Sequence, residues 1–196
     1  MPRMHLPALI RTRRPQHKGG FTIVELLIVI VVIGILAVIA TTAFTSAQAR
    51  SRDSRRLADI NAILKAIKAH KADLGYYPVA TPSGGGRWDA SSDFNNGHVF
   101  LANLKSSGFM PQIPVDPVNT SLDIDNNTGM HYNYFTYEDD WYLASIGCTS
   151  GRGRLTVLMI VDLETSSRPA PQSPGFSCAG RNFNNEADWV WGDYEF

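Results

Sequence analysis

The sequence predicts an α+β protein in which one long N-terminal helix packs on a small antiparallel sheet. Three observations predict this class. Apolar residues run almost unbroken over residues 21–44, helical periodicity continues to residue 74, and β-prone runs separated by turn residues fill much of the remaining chain. With 196 residues, the chain is long enough for one domain and a tail rather than for two full domains.

The apolar run is long enough to cross a membrane. It holds no proline, and Glu25 is its one charged residue. A helix over residues 21–44 reaches about 36 Å at about 1.5 Å per residue, which exceeds the roughly 30 Å of a bilayer's hydrocarbon core. The sequence therefore predicts a membrane-spanning helix here rather than a buried core helix. Basic residues flank both ends of the run, so charge counting does not fix its orientation.

Charge is distributed unevenly along a chain whose formal net charge is zero. Residues 1–20 carry five basic and no acidic residues, and residues 50–71 carry seven basic and two acidic residues. From residue 72 onward, six basic residues face fifteen acidic ones. This pattern excludes a uniformly basic nucleic-acid binder, a disordered polyampholyte and a plain cytosolic enzyme.

The residues around the start of the apolar run carry a family resemblance. The stretch KGGFTIVELLIVI, residues 18–30, resembles the N-terminal signature of type IV prepilins and of type II secretion pseudopilins. The resemblance implies that a prepilin peptidase cuts between Gly20 and Phe21 and N-methylates Phe21. It also implies that Glu25, the fifth residue of the mature chain, acts in assembly. Residues 1–20 are then a cytoplasmic leader; an ordinary signal peptide has its small residues after the apolar run, not before it.

An amphipathic segment is expected to extend the helix over residues 45–75. Its apolar residues recur three, four and seven positions apart, which predicts one buried face made of Leu57, Ile60, Ile63, Leu64, Ile67 and Leu74. Four charged residues are expected off this face: Arg56, Asp59, Lys65 and Lys68. The basic stretch Arg50–Arg56 is expected near anionic lipid headgroups or lining a filament. Gly75, with a proline three residues later, is expected to end the helix.

Residues 76–196 are predicted to form a globular α+β head. Strands are expected at residues 131–137, 141–146, 155–161 and 189–194. A short helix near residues 99–104 and an extended, proline-rich segment over residues 111–118 are expected before the sheet. We expect this sheet to pack on the apolar face of the amphipathic helix.

Two groups of head residues are candidate sites. Cys148 and Cys178 are expected to pair in a disulfide that closes a proline-rich loop with little regular structure, and two free buried thiols are the alternative. Asp123, Asp125 and Asn127 present alternating oxygen ligands of the kind that bind calcium, although the loop departs from the EF-hand at its sixth and twelfth positions. An Asn/Asp-rich turn without a metal is the alternative here, and no other cofactor is expected.

The sequence indicates a structural protein rather than an enzyme. It contains no nucleophile elbow, phosphate-binding loop, dinucleotide motif or metal-spaced histidine set. The resemblance implies a single-pass protein of the cytoplasmic membrane, with its N-terminus in the cytoplasm and its head outside. A membrane platform protein and an assembly ATPase would then build it into a filament with identical or homologous subunits.

Several alternatives stay open at this point. The filament could be a type IV pilus or a type II secretion pseudopilus, and the subunit a major or a minor one. A protein of another class would be a single-span membrane anchor that carries a binding or enzymatic domain and does not polymerise. Glu25 favours the filament, because a simple anchor gains nothing from a carboxylate in its first turn. DNA binding is unsupported.

Overall fold

The chain folds as an α+β protein, as the sequence predicts. The structure is a computed structural model that describes residues 20–82, 88–93, 97–120, 126–166 and 168–196. One long helix, α1, runs from Ile23 to Leu74 over 52 residues. The contacts within the chain divide it after Phe44 into two units, residues 1–44 and residues 45–196.

In the first unit α1 is an exposed apolar helix. Its large apolar side chains from Ile23 to Ile39 are all exposed to the surroundings. The hydroxyl of Thr41 donates to the carbonyl of Val38, and that of Thr42 to the carbonyl of Ile39, at 2.9 Å each. These bonds give both hydroxyls a partner within the helix, so that they can lie in an apolar medium at low cost.

In the second unit one face of α1 is buried. Ile60, Ile63, Leu64 and Ile67 form this face, as the apolar spacing predicts, and Leu57 is partly buried beside them. The prediction for Leu74 is wrong, because its side chain is 44% exposed at the last turn. The amide of Gly75 bonds to the carbonyl of Lys71 at 2.8 Å with φ at +84°, and this left-handed geometry ends the helix.

The prediction that Arg56 lies off this face is also wrong. Arg56 is completely buried, together with Asp53 one turn before it and His70 near the end of the helix. The apolar pattern missed these residues because a charged side chain can occupy a buried position when its partners are supplied by other segments of the chain.

The sheet has four antiparallel strands in the order β1-β2-β3-β4. The strands are β1 (Asp89–Ala90), β2 (Tyr132–Tyr137), β3 (Leu155–Ile160) and β4 (Trp189–Tyr194). The last three confirm predicted strands to within one residue at each end. Register is fixed by pairs such as Tyr132 with Ile160 and Leu155 with Tyr194.

Both faces of the sheet are buried. Tyr132, Tyr134, Leu158 and Ile160 lie in the core that includes the apolar face of α1. Residues at alternating positions, among them Val157, Met159 and Val190, lie in a second core with Leu143 and Phe183. A strand covered on both faces is expected to be apolar throughout, and β3 has the sequence LTVLMI with every residue buried.

One predicted strand is a helix. Residues 140–145 form α3 (Asp140–Ser145), not the strand expected over residues 141–146. Acidic residues at its start favour a helix N-terminus, and Leu143 is its buried residue. The hairpin partner of β2 is therefore β3.

One of the segments before β2 differs in detail from the prediction. The short helix α2 (Ala102–Ser106) begins later than expected, because Leu101 at its start has φ of +51°, outside the helical region. Residues 111–118 contain neither a helix nor a strand. A 3-10 helix, Phe183–Asn185, precedes β4.

Candidate processing and assembly site

The peptide bond between Gly20 and Phe21 lies just before the first turn of α1. Neither residue is in a helix or strand, and the Phe21 side chain is 88% exposed. A Cβ added to Gly20 would meet no atom within 4 Å. The bond is therefore accessible and outside regular structure, which is the condition proteolytic enzymes require of a substrate. The basic leader, including Lys18, lies outside the described residues.

Thr22 and Glu25 form a reciprocal capping box at the start of α1. The backbone amide of Thr22 and its hydroxyl both donate to Oε2 of Glu25, at 2.8 Å each. The backbone amide of Glu25 in turn donates to the Thr22 hydroxyl at 3.2 Å. This arrangement satisfies two of the amides that a helix leaves unpaired at its first turn, and such a pair commonly marks where a helix begins.

The capping box fixes where the one charge of the apolar segment lies. It holds the Glu25 carboxylate at the helix N-terminus, where the helix dipole favours a negative charge. The hydrogen bonds that the described residues make to this carboxylate, from the amide and the hydroxyl of Thr22, both go to Oε2. Cleavage before Phe21 would create a positive amine one residue from Thr22. The first turn of α1 would then carry both a cation and an anion at the end of a helix that is otherwise apolar.

The apolar helix that follows has the composition of a membrane span. An 18-residue window has a mean hydropathy of 3.3, and none of that window is buried. By length and composition, α1 is the one helix among the described residues that could cross a membrane. Helices of this kind bury their apolar side chains in lipid or against neighbouring helices.

Comparison with known proteins identifies this part of the chain. The chain is a membrane-anchored protein whose residues 15–41 match the prokaryotic N-terminal methylation motif. That motif is the type IV prepilin and pseudopilin signature, and it confirms the resemblance carried by residues 18–30. The match covers Gly20, Phe21 and Glu25 and does not extend into the head. No curated protein and no solved structure matches the chain.

The two cysteines of the head are joined. Cys148 and Cys178 form a disulfide with their Cα atoms 4.8 Å apart. The backbones on either side come close together, and a Cβ on Gly147, whose φ is +69°, would lie 2.4 Å from the amide nitrogen of Gly180. The expectation that the enclosed loop has little regular structure is wrong, because the central strand β3 lies within it.

The predicted calcium loop falls largely outside the described residues. This is the case for Asp123 and Asp125. Asn127 is described and buried; its side-chain oxygen accepts a hydrogen bond from Asn133 at 2.7 Å, and its amide donates to Glu186 at 3.0 Å. The residues that the structure describes contain no group of three or more His, Cys, Asp or Glu side chains placed to hold a metal ion. Calcium binding at this loop stays a prediction.

A buried ionic cluster around Arg56 was not predicted from the sequence. The Arg56 guanidinium bonds to both carboxylate oxygens of Asp116, at 2.6 and 3.1 Å. It also donates to Asp53 and to Glu164, at 2.7 Å each. Arg52, four residues before Arg56 on the helix, also donates to Glu164, at 2.7 Å. We call these five residues the Arg56 cluster.

Backbone groups complete the hydrogen bonding of the Arg56 cluster. Asp53 accepts from the amides of Glu164 and Thr165, at 2.9 and 2.8 Å, and from the Thr165 hydroxyl at 2.6 Å. Asp116 accepts from the amides of Val118 and Asn119, at 2.8 and 3.0 Å. The cluster therefore ties α1 to two loops of the head, one before β2 and one after β3.

The protonation of these groups follows from their contacts. Hydrogen bonds from Arg52, reinforced by Arg56, lower the pKa of Glu164 to about 2. Burial raises the pKa of Asp53, but its bonds to Thr165, to the Glu164 amide and to Arg56 together bring that pKa below its ordinary value. Burial by itself would lower the pKa of Arg56, and its carboxylate partners reverse that effect and raise it. The carboxylates of Glu164 and Asp53 and the guanidinium of Arg56 are thus ionised at neutral pH.

The expectation that the whole stretch Arg50–Arg56 lies near lipid headgroups or lines a filament needs correction. Arg56 is buried in the head, and Arg52 is partly buried against Glu164. Arg50 and Arg55 are the two that remain exposed. The sequence signal that could have separated them is the Asp53–Arg56 spacing of three, which places opposite charges on one face of a helix.

Proposed function

We propose that this chain is a structural subunit of a type IV pilus or a type II secretion pseudopilus. In this proposal a prepilin peptidase removes residues 1–20 and methylates the new amine of Phe21. The observation that carries it is the methylation motif over residues 15–41, placed on an exposed apolar helix whose first turn holds Glu25. The accessible bond before Phe21 supports the processing step.

The proposed location before assembly is the cytoplasmic membrane. The leader and the peptide bond before Phe21 would face the cytoplasm, and the head would lie on the other side. The disulfide supports this orientation, because disulfides persist in oxidising compartments and are rare in the cytosol. A platform protein and an assembly ATPase would then supply the work that moves the apolar helix from lipid into a filament of like helices.

Glu25 is proposed to set the register between subunits. In the isolated chain its carboxylate caps its own helix through Oε2. In a filament Oε1 would be available to the Phe21 amine of a neighbouring subunit. An unpaired charge in that apolar surround costs several kcal/mol, so a slipped neighbour that leaves both charges unmatched is disfavoured. The same carboxylate therefore caps its own helix in the isolated chain and also pairs with a neighbouring amine in the filament.

The proposed role is structural rather than enzymatic, in agreement with the methylation motif. A membrane anchor that never polymerises would also need the apolar helix. It would not need a methylated amine or a carboxylate in the first turn of the span. Substitutions of Glu25 therefore distinguish a filament subunit from a simple membrane anchor.

Two measurements test the proposal. Mass spectrometry of the mature chain should give an N-terminus at N-methylated Phe21 with the apolar helix retained. Recovery of a chain that begins after Ala40, as ordinary signal peptidase would leave, contradicts it. In cells that carry the assembly machinery, Glu25→Ala should leave insertion and cleavage largely intact and abolish or badly impair filament formation.

Glu25→Gln is the matched control for the capping box. Glutamine at this position still accepts the Thr22 bonds, because capping boxes use either residue, but it carries no charge. If the charge sets the register, both variants fail to assemble. If Glu25→Gln builds filaments as well as the parent chain while Glu25→Ala does not, Glu25 acts as a helix cap and the register role is excluded.

A further inference from the structure

An aromatic groove crosses the surface of the head next to α3. It has a volume of about 470 Å³ and lies between residues 79–82 on one side and residues 135–142 on the other. Trp141 lines it with a side chain that is 79% exposed, and Tyr142 beside it is stacked on Tyr137 at 5.7 Å between ring centres. We call this surface the Trp141 groove. Exposed tryptophan and tyrosine side chains around a groove are typical of protein-protein contacts.

The rim of the Trp141 groove is acidic. Glu138 and Asp139 line it, and Asp140 follows at the start of α3. Among the described residues, the ion pair within 4.0 Å of these carboxylates joins Arg154 to Glu138 at 3.5 Å. That guanidinium is already held by Glu195 at 3.1 Å. Aromatic faces beside uncompensated carboxylates attract a cationic side chain, above all arginine.

The groove lies at the end of the head where α1 terminates. Along β2, the Tyr132 hydroxyl reaches Asp59 in the middle of the helix, and the Tyr134 hydroxyl reaches the carbonyl of Pro78 beyond its end. The Thr136 hydroxyl accepts a hydrogen bond from the amide of Ala80 at 3.1 Å, and both residues line the groove. The strand thus leads past the last turn of α1 to the Trp141 groove.

A basic surface lies near the opposite end of the same unit. Arg50 is exposed, and within the described part of the chain its guanidinium bonds to Ser46 of its own helix and to no carboxylate. The Arg55 side chain is 65% exposed and has one weak pair, to Asp59 at 3.6 Å. Arg50 precedes Leu74 by 24 residues, about 36 Å of helix at about 1.5 Å per residue.

We propose that the Trp141 groove of one subunit receives the exposed arginines Arg50 and Arg55 of a second copy. The two surfaces have opposite charge and lie at opposite ends of the head, so they can meet between copies stacked end to end. A contact between two different surfaces of one chain generates an open helical polymer when the rotation between copies does not close into a ring. This inference rests on the proposed filament function and names one of its subunit contacts.

Site-specific photocrosslinking tests which surface occupies the groove. Trp141 is replaced by the photoreactive p-benzoylphenylalanine in cells that carry the assembly machinery, and filaments are irradiated. The expected product is a dimer of this chain with the crosslink mapped to residues 45–58. A crosslink to another region of the chain, a crosslink to a different protein, or no crosslink in filaments that form normally overturns the proposal. Phe196, whose side chain is also 79% exposed but does not line the groove, is the control position.

A charge exchange tests the electrostatic attraction between the Trp141 groove and the basic surface. Asp139→Arg and Arg50→Asp should each lower the yield of filaments about tenfold or more, because like charges then face each other across the contact. The double variant should restore most of the yield. Asp73→Arg makes the same change of charge at an exposed acid outside the groove and should leave the yield near that of the parent.

The outcomes separate this proposal from the filament function. If the parent chain builds filaments and the two single variants do so equally well, the groove contact is wrong and the filament function stands. If both single variants fail and the double variant is not restored, the pairing of Asp139 with Arg50 is wrong. If the parent chain, correctly processed, builds no filaments, both proposals fall together.

Discussion

Replacing Arg56 by methionine is expected to destabilise the head strongly. The substitution keeps most of the aliphatic volume but removes the guanidinium, which makes four hydrogen bonds to carboxylates: two to Asp116 and one each to Asp53 and Glu164. Asp116 and Arg56 are completely inaccessible to solvent, so water cannot replace the lost partner without rearrangement.

The expected loss of stability depends on the hydrogen bonds that each carboxylate retains after the substitution. A charge-assisted hydrogen bond contributes about 1.5–3 kcal/mol, but the four bonds are not additive, because they share one guanidinium. After the substitution Asp53 retains two amides and a hydroxyl, Asp116 retains two amides, and Glu164 retains Arg52. We therefore expect a loss of about 3–5 kcal/mol in the free energy of unfolding, the usual cost of removing one partner of a buried ion pair.

Thermal unfolding of the full chain in detergent micelles measures this loss. All four tryptophans lie in the head, so their fluorescence reports on that unit. At about 2–4 °C per kcal/mol for a domain of this size, Arg56→Met should lower Tm by roughly 6–20 °C. Arg55→Met, the matched control, removes a largely exposed arginine with one pair at 3.6 Å and should cost less than about 1 kcal/mol.

A double-mutant cycle checks the physical reason. Asp116→Asn keeps the bonds to the amides of Val118 and Asn119 but removes the charge that Arg56 neutralises. Arg56→Met combined with Asp116→Asn should therefore cost less than the sum of the two single variants. Equal losses in Tm for Arg56→Met and Arg55→Met, or strict additivity in the cycle, would refute the view that the cluster holds the head together.

Two further outcomes are expected. The pKa of Glu164 falls from its ordinary 4.5 to about 2 in the folded chain, so its contribution to stability is complete above about pH 4.5 and is lost as the pH falls towards 2. Glu164→Gln should therefore flatten this part of the curve of Tm against pH. An unchanged curve would contradict the assignment. Reducing the disulfide between Cys148 and Cys178, which are 30 residues apart, should lower the free energy of unfolding by about 3–4 kcal/mol in the chain-entropy model; equal free-thiol counts before and after reduction would show that the bond is absent from the protein.

The site at the start of α1 could be predicted from the sequence because its determinants are local. The residues from Gly20 to Glu25 are adjacent in the chain, and the capping box joins positions three apart. The apolar run after it is long enough to identify a span by composition. The sequence did not show which groups hydrogen-bond to the Glu25 carboxylate in the isolated chain, because these bonds depend on the rotamers of both capping residues.

The strands of the head were predictable where their burial left a clear apolar or alternating pattern in the sequence. β3 is continuously apolar because both of its faces are buried, and β2 alternates tyrosines that point to α1. Residues 140–145 form a helix although their aromatic residues favour a strand. Strand propensity is weak when no neighbouring strand is available for pairing, and β2 is already paired with β1 and β3.

The sequence by itself determined the local features: the processing motif, the apolar span, the helical spacing of Ile60, Ile63 and Ile67, and the presence of two cysteines able to pair. Tertiary structure decided which charged residues are buried. Arg56 lies between Asp116 and Glu164, which are 60 and 108 residues further along the chain. A guanidinium can be buried only where such carboxylates converge. That convergence depends on how the loops before β2 and after β3 return to α1, and no periodicity within the helix encodes it.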